Sequence, residues 1–123
     1  MKLDQTPDKM IYLQLVDWIL DNILLDVFRE GEQIPSVTEL SVTFQINHLT
    51  ALKGIGILTD EGILYKKRGI GMFVSEGAKE KIHQHRKNAF MESYVQKTIE
   101  EAGKLGITKE ELISMIEGGY KNE

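Results

Sequence analysis

The chain contains no cysteine among its 123 residues. This absence excludes disulfide bonds, thiolate zinc sites and a thiol nucleophile, and it is consistent with a reducing compartment. No apolar run is long enough to span a bilayer. Asp4 follows Met1 closely, where the apolar core of a signal peptide would begin. We therefore expect a soluble, cytoplasmic protein with no membrane partner.

Positive charge is also scarce, since 15 basic side chains stand against 19 acidic ones and the net charge is −4. Residues 10–32 hold one arginine and five acidic side chains, whereas residues 36–74 hold four basic and three acidic ones. Phosphate binding requires local rather than overall positive charge. The composition therefore leaves nucleic-acid binding open without predicting it. Apolar residues make up 41% of the chain, which is enough for a compact core.

Patterns typical of catalytic and metal sites are missing as well. The sequence shows no Ser-His-Asp order, no glycine-rich phosphate loop and no paired carboxylates with a matching pocket. His83 and His85 are two residues apart on an expected helix and point to different sides, so with Glu80 they do not form a chelate. We expect no enzymatic activity, no catalytic residue, no metal site and no cofactor.

The first half of the chain begins with two expected helices. Residues 1–9 are interpreted as a short mobile arm. Apolar side chains recur at helical spacing over residues 11–27 and predict the first helix. Ser36 and Glu39 form the Ser-x-x-Glu pattern of a capping box, so the second helix is expected over residues 36–44.

A third helix and a hairpin follow at once. Asn47 can cap a helix over residues 48–60, and two helices of this length joined by about three residues are typical of a helix-turn-helix. Residues 63–66 and 72–74 are predicted strands around a glycine-bearing turn at residues 67–71. A hairpin in this place is typical of the wing of a winged helix-turn-helix.

The remaining residues predict two more helices. The first is expected over residues 78–102 and is ended by Gly103 and Gly106. A capping box at residues 108–111 opens the last helix, which we expect Gly118-Gly119 to end.

The expected fold is therefore mostly α with a small β-hairpin. An N-terminal winged helix-turn-helix domain for DNA binding is expected over residues 1–76. It is followed by two C-terminal helices in a tail over residues 77–123.

Five motifs occur in order along residues 10–74: Ile11-Tyr12-x-Gln14-Leu15, Gly31-x-x-Ile34-Pro35-Ser36-Val37-x-Glu39-Leu40, Asn47-x-x-Thr50, Leu58-x-x-Glu61-Gly62-Ile63-Leu64 and Lys67-Arg68-Gly69-x-Gly71-x-Phe73-Val74. Together they resemble the GntR family of bacterial regulators, which implies a transcription regulator that binds an operator in double-stranded DNA. The tail is short and includes the stretch at residues 105–112, and in both respects it is similar to the YtrA-like subfamily. That resemblance implies a homodimer held by the tail, with repression as the default activity.

Ten residues are expected to contact DNA, at the start of helix two, in the first turns of helix three and at the wing: Ser36, Thr38, His48, Leu49, Thr50, Lys53, Lys66, Lys67, Arg68 and Gly69. Helix three would lie in the major groove, where hydroxyl and ammonium groups can bind base edges. The amides that begin helix two attract phosphate. The wing cations would bind the backbone or the minor groove.

Departures from the family pattern leave an alternative open. Thr38 stands where the family usually has arginine, and His48 stands where it commonly has proline or serine. Gly54 and Gly56 each cost helix three about 0.5–1 kcal/mol relative to alanine. The alternative is a winged-helix protein-interaction module that has lost specific DNA binding. The sequence shows no effector pocket, so a small-molecule effector stays unidentified.

Overall fold

The structure is a computed structural model that describes residues 10–121. The arm expected at residues 1–9 lies outside the described residues. The chain forms two compact units, which divide between His83 and Gln84. The boundary expected between residues 76 and 77 separated a DNA-binding part from a dimerisation part, and this assignment of roles remains a prediction.

The first unit contains three helices, a hairpin and the beginning of a fourth helix. The elements in chain order are α1 (Met10–Leu24), α2 (Val37–Phe44), α3 (His48–Asp60), β1 (Leu64–Lys67), β2 (Gly71–Val74) and α4 (Ala78–Phe90). The prediction of a mostly α fold with a small hairpin is confirmed. Helix α1 is shorter than expected because the chain turns after Leu24, with Asp26 in the left-handed region at φ 62°.

Local side-chain caps begin α2 and α3, as the sequence predicts. Ser36 Oγ accepts a hydrogen bond from the Glu39 amide at 3.0 Å, and Glu39 Oε1 accepts one from the Ser36 amide at 2.9 Å. The bond from the Ser36 amide is the main reason that the pKa of Glu39 lies below its ordinary value. Asn47 Oδ1 accepts from the Leu49 amide at 2.7 Å and begins α3. These bonds satisfy amides that a helix start leaves without intrahelical acceptors.

One apolar core joins the helices and the hairpin of the first unit. Trp18 packs edge-on against Phe28 and Phe44, with ring centroids 5.5 and 4.8 Å apart. Side chains with no measurable exposure come from all three complete helices and from β2: Leu15, Ile19, Phe44, Leu58 and Val74. Burial of these side chains, worth roughly 1.5–3 kcal/mol for each large aliphatic or aromatic one, determines which face of each helix points inward.

Helices α1 and α3 approach closely at Gly54. A Cβ added at Gly54 would lie 3.2 Å from the Tyr12 carbonyl oxygen and 3.3 Å from Leu15 Cδ2. The second glycine of α3 differs, because a Cβ added at Gly56 would have nothing within 4 Å. Gly54 therefore permits close packing of the two helices, whereas Gly56 serves no packing purpose within the unit.

The hairpin is extended on its second edge by the segment that precedes α2. Strands β1 and β2 are antiparallel, with Leu64 opposite Val74 at one end and Lys67 opposite Gly71 at the other. The Ile34 amide donates to the Met72 carbonyl at 2.9 Å. Residues 31–34 thus pair with β2, which places β2 between two extended segments and attaches the wing to the rest of the unit.

The first turns of α4 are held by the loop between α1 and α2. Glu30 accepts hydrogen bonds from the amides of Gly77 at 2.9 Å and Lys79 at 3.1 Å, and these bonds lower the pKa of Glu30. Lys79 Nζ lies 3.0 Å from Asp26 Oδ1. Ala78 is buried below these contacts. The start of α4 therefore belongs to the first unit.

The second unit is entirely helical. It contains the end of α4, a π-helical turn at Met91–Val95, α5 (Gln96–Lys104) and α6 (Lys109–Tyr120). The predicted capping box at the start of α6 is confirmed, because Thr108 Oγ1 accepts from the Glu111 amide at 3.2 Å. None of the helices within residues 10–121 is long and apolar enough to cross a membrane.

The predicted end of the long helix at Gly103 and Gly106 is confirmed only for Gly106. Gly103 lies inside α5, and the helix ends at Lys104, two residues before Gly106, which has φ 72°. The predicted end of the last helix at Gly118-Gly119 is wrong. Gly118-Gly119 lies inside α6, which continues to Tyr120. A glycine in a helix interior lowers the stability of the helix by only about 1 kcal/mol. A helix with intact backbone hydrogen bonds on both sides of a glycine therefore continues through it.

We predict opposite outcomes for the two glycines of α3. Gly56→Ala should raise the free energy of unfolding by roughly 0.5–1 kcal/mol, because it restricts the unfolded chain and meets no neighbour. Gly54→Ala should give no gain or a loss, because its methyl group must displace the Tyr12 carbonyl and the Leu15 side chain. Urea unfolding followed by the fluorescence of Trp18, the one tryptophan of the chain, measures both variants. Equal stabilisation by both would contradict the role given to Gly54.

Candidate nucleic-acid interface

One face of α3 packs into the core of the first unit, and the opposite, outer face is mostly exposed. The buried residues of α3 are Ala51, Gly54, Ile55 and Leu58. At about 100° per residue, the positions opposite this buried face are Leu49, Lys53, Gly56 and Asp60. Leu49 is 71% exposed. No acidic residue lies in the first turn of α3, so the positive end of the helix dipole is not neutralised there by a side chain of α3.

The three polar residues expected to contact DNA from α3 lie around this outer face. His48 is exposed at the first position of the helix, and Thr50 is half-buried at one flank. Lys53 is exposed, and its Nζ lies 4.3 Å from the centroid of the Tyr12 ring, an arrangement that suits a cation–π interaction. Lys53 therefore leans toward α1 rather than straight out from the helix axis.

The start of α2 holds the next two expected residues. The Ser36 hydroxyl is occupied as a cap, and the Glu39 carboxylate lies over the same helix end. Thr38 is exposed and its carbonyl accepts a hydrogen bond from Ser41 Oγ at 2.8 Å. A phosphate at this end would approach the first-turn amides with one carboxylate nearby, so this position attracts anions less strongly than an uncharged helix start would.

The wing presents its cations to solvent. Lys66, Lys67 and Arg68 are all exposed, and Gly69 forms the turn with φ 77°. Lys67 Nζ lies 4.4 Å from the centroid of the Phe73 ring. Three positive charges on consecutive residues beside a tight turn suit contact with phosphate.

Gln33 positions the wing turn, a role that the sequence does not signal. Gln33 Nε2 donates to the Ile70 carbonyl in the turn at 2.9 Å. The same amide group lies against Gly71, where φ is 147° and an added Cβ would collide with it. Because the pairing segment at residues 31–34 is short and shows no alternation of apolar and polar side chains, sequence periodicity cannot identify it.

Comparison with known proteins decides the family. Residues 9–74 match the sequence pattern of bacterial regulatory proteins of the gntR family. The chain belongs to this family. The HTH-type transcriptional repressor YtrA of Bacillus subtilis is 28% identical over all of this chain and 99% of its own length.

Solved structures support the same assignment. A GntR-family transcriptional regulator from Bacteroides thetaiotaomicron is 38% identical, covers 91% of this chain and 97% of its own, and superposes with a TM-score of 0.78. The DNA-binding domain of AraR, solved in complex with the operator ORX1, is 30% identical over 61% of this chain and 95% of its own, with a TM-score of 0.56.

The gntR assignment confirms the expected function class. The protein is a DNA-binding transcription regulator and not an enzyme. The winged helix-turn-helix lies in the first unit, which contains the residues that match the family. The ten residues expected at the DNA remain predictions.

We predict that Gln33→Met loosens the wing turn of this gntR regulator. Methionine keeps the length of the side chain but cannot donate to the Ile70 carbonyl. The loss of a hydrogen bond worth about 1 kcal/mol should speed amide hydrogen exchange in residues 68–71 about fivefold. Exchange in α1 and α3 should stay unchanged, as it should throughout the first unit in the control Gln84→Met. Unchanged exchange in the turn would show that Gln33 does not hold the wing.

Proposed function

We propose that the protein is a repressor that binds an operator as a homodimer, with α3 in the major groove and the wing on the backbone or in the minor groove. The observation that carries the proposal is the mostly exposed outer face of α3 in a unit whose wing exposes three consecutive cations. The names of YtrA, a repressor, and of AraR, crystallised with its operator, support it. A protein that acts on operators works beside the chromosome, so the proposal includes a cytoplasmic location.

The expected contacts separate into two kinds. Thr50 and Lys53 lie three residues apart on neighbouring positions of α3, where side chains can reach base edges. Ser36, Thr38 and the wing cations lie where phosphates would pass. Base contacts set the choice of operator, whereas phosphate contacts raise affinity for every sequence.

The second unit supplies the reason for a dimer. Ala102 is its one buried residue over residues 84–121. A groove of about 510 Å³ is lined mainly by apolar side chains of the π-helical turn, α5, α6 and the connection between them, among them Tyr94, Leu105 and Leu112. Exposed apolar area of this kind on a helical tail is typical of a protein–protein interface.

Dimerisation also compensates for the small number of cations in the first unit. Two linked copies can bind two half-sites, so that the second contact becomes intramolecular. A C2 pair uses the same surface on both copies. We therefore assign DNA binding to residues 1–76 and dimerisation to the tail predicted over residues 77–123, with the dimer contacts in the second unit, since residues 77–83 pack within the first unit.

The wing prediction concerns the salt dependence of operator binding. Each phosphate contact contributes about 0.9 to the slope of log affinity against log salt. Replacing Lys66, Lys67 and Arg68 together with alanine should flatten this slope by about 2–3 for each first unit bound. The control replaces Lys87, Lys109 and Lys121 with alanine, which changes the net charge equally but lies in the second unit. Fluorescence anisotropy at several salt concentrations measures both. An equal slope for the wing variant and its control would exclude wing–phosphate contact.

Selection from random duplexes at one salt concentration provides the operator and tests the proposal as a whole. The wild-type protein should enrich a motif with two half-sites, and Lys53→Ala should relax the preference at particular base pairs. If the wild-type protein enriches no motif, the protein is a winged-helix interaction module instead.

The dimer prediction concerns the second unit. Light scattering at tens of micromolar should give about twice the chain mass of 14.0 kDa. Leu105→Glu should shift the mass toward one chain, because it places a charge in the apolar groove. Val42→Glu is the matched control, since Val42 and Leu105 are each 72% exposed and Val42 lies on α2. A monomeric wild-type protein, or a dimer insensitive to Leu105→Glu, would contradict the assignment of this groove to the dimer interface.

A further inference from the structure

The side chains on the outer face of α3 are unusual for a helix that reads DNA. Bidentate hydrogen bonds in the major groove come mainly from arginine or lysine to guanine and from asparagine or glutamine to adenine. Helix α3 contains no arginine, asparagine, glutamine or glutamate. Lys53 is its one strongly basic side chain, and its ammonium group rests against the Tyr12 ring. The helix therefore has few means of reading bases through paired hydrogen bonds.

Apolar side chains occupy the positions that would come first to the bases. The N-terminal residues of a recognition helix contact base edges. Leu49 is the second residue of α3 and is 71% exposed, and Leu52 lies one turn on and is 48% exposed. The bond from the Leu49 amide to Asn47 Oδ1 fixes the backbone at this point. Leucine exposed to water in the first unit gains stability only if another surface covers it.

Gly56 is a further position on the outer face of α3 that offers no polar side chain to a base. It lies on the outer side of α3, where an added Cβ would have nothing within 4 Å. The absence of a side chain there leaves a shallow surface over the second and third turns. The helix can therefore lie closer to the floor of a groove than a helix with a longer residue at this position.

The major groove offers one apolar group, the 5-methyl group of thymine. We propose that α3 reads thymine methyl groups of its operator in addition to the base contacts assigned above to Thr50 and Lys53, with Leu49 as the main methyl contact and Leu52 beside it. The half-site beneath the first two turns of α3 is then rich in A·T pairs. This inference rests on the proposed function, since it specifies how α3 chooses its operator.

The test replaces single thymines in the selected operator by deoxyuridine, which removes the methyl group and leaves the base-pairing edge unchanged. Burial of one methyl group is worth roughly 0.8 kcal/mol, so wild-type affinity should fall about fourfold at one or two half-site positions. In Leu49→Ala the difference between thymine and uracil at those positions should disappear. Leu25→Ala is the control, because Leu25 is 73% exposed but lies outside α2, α3 and the wing. It should keep the full difference.

Failure of this inference is distinguishable from failure of DNA binding. If the wild-type protein selects no operator, the proposed function fails and this inference with it. If an operator is selected, two results overturn the inference alone. One is that uracil changes affinity less than twofold at every half-site position. The other is that Leu49→Ala keeps the thymine preference. Leu49 is mostly exposed, so the variant should keep the wild-type unfolding midpoint, which shows that any change arises at the DNA.

Discussion

Close packing of α3 on α1 determines which side chains of the first unit can reach another molecule. Gly54 allows the Tyr12 carbonyl and the Leu15 side chain to approach the α3 backbone, and Ala51, Ile55 and Leu58 are buried along the same face. Once this face is buried, helical geometry turns Leu49 outward. The surface proposed to contact DNA is therefore a consequence of the core, and a change in the packing at Gly54 would rotate or displace this whole face.

The wing depends on a different kind of interaction. Its strands are short, and an isolated hairpin of this size is marginally stable in water. Pairing of residues 31–34 with β2, together with the bond from Gln33 to the Ile70 carbonyl, attaches the turn to the segment that leads into α2. The position of the wing cations is thus linked to the start of the helix-turn-helix rather than to the hairpin alone.

The second unit has well-formed helices but little core, whereas the helices of the first unit share one apolar core. Its capping box at Thr108 and its continuous hydrogen bonding form α6, yet only Ala102 is buried between residues 84 and 121. Helix formation is local, whereas burial needs a partner surface. The division of work proposed above, DNA binding in one unit and assembly in the other, follows from this difference.

The sequence by itself determined the elements whose signals are local. Helix α3 begins and ends where Asn47 and the Glu61-Gly62 pair predict, because a cap and a left-handed glycine act within a few residues. The prediction that Gly118-Gly119 ends α6 was wrong because glycine weakens a helix without necessarily ending it. Only the tertiary structure showed that Lys53 leans on Tyr12 and that Gln33 holds the wing turn. These contacts join residues distant in the chain, and no periodicity or spacing within either segment encodes which distant group a side chain will meet.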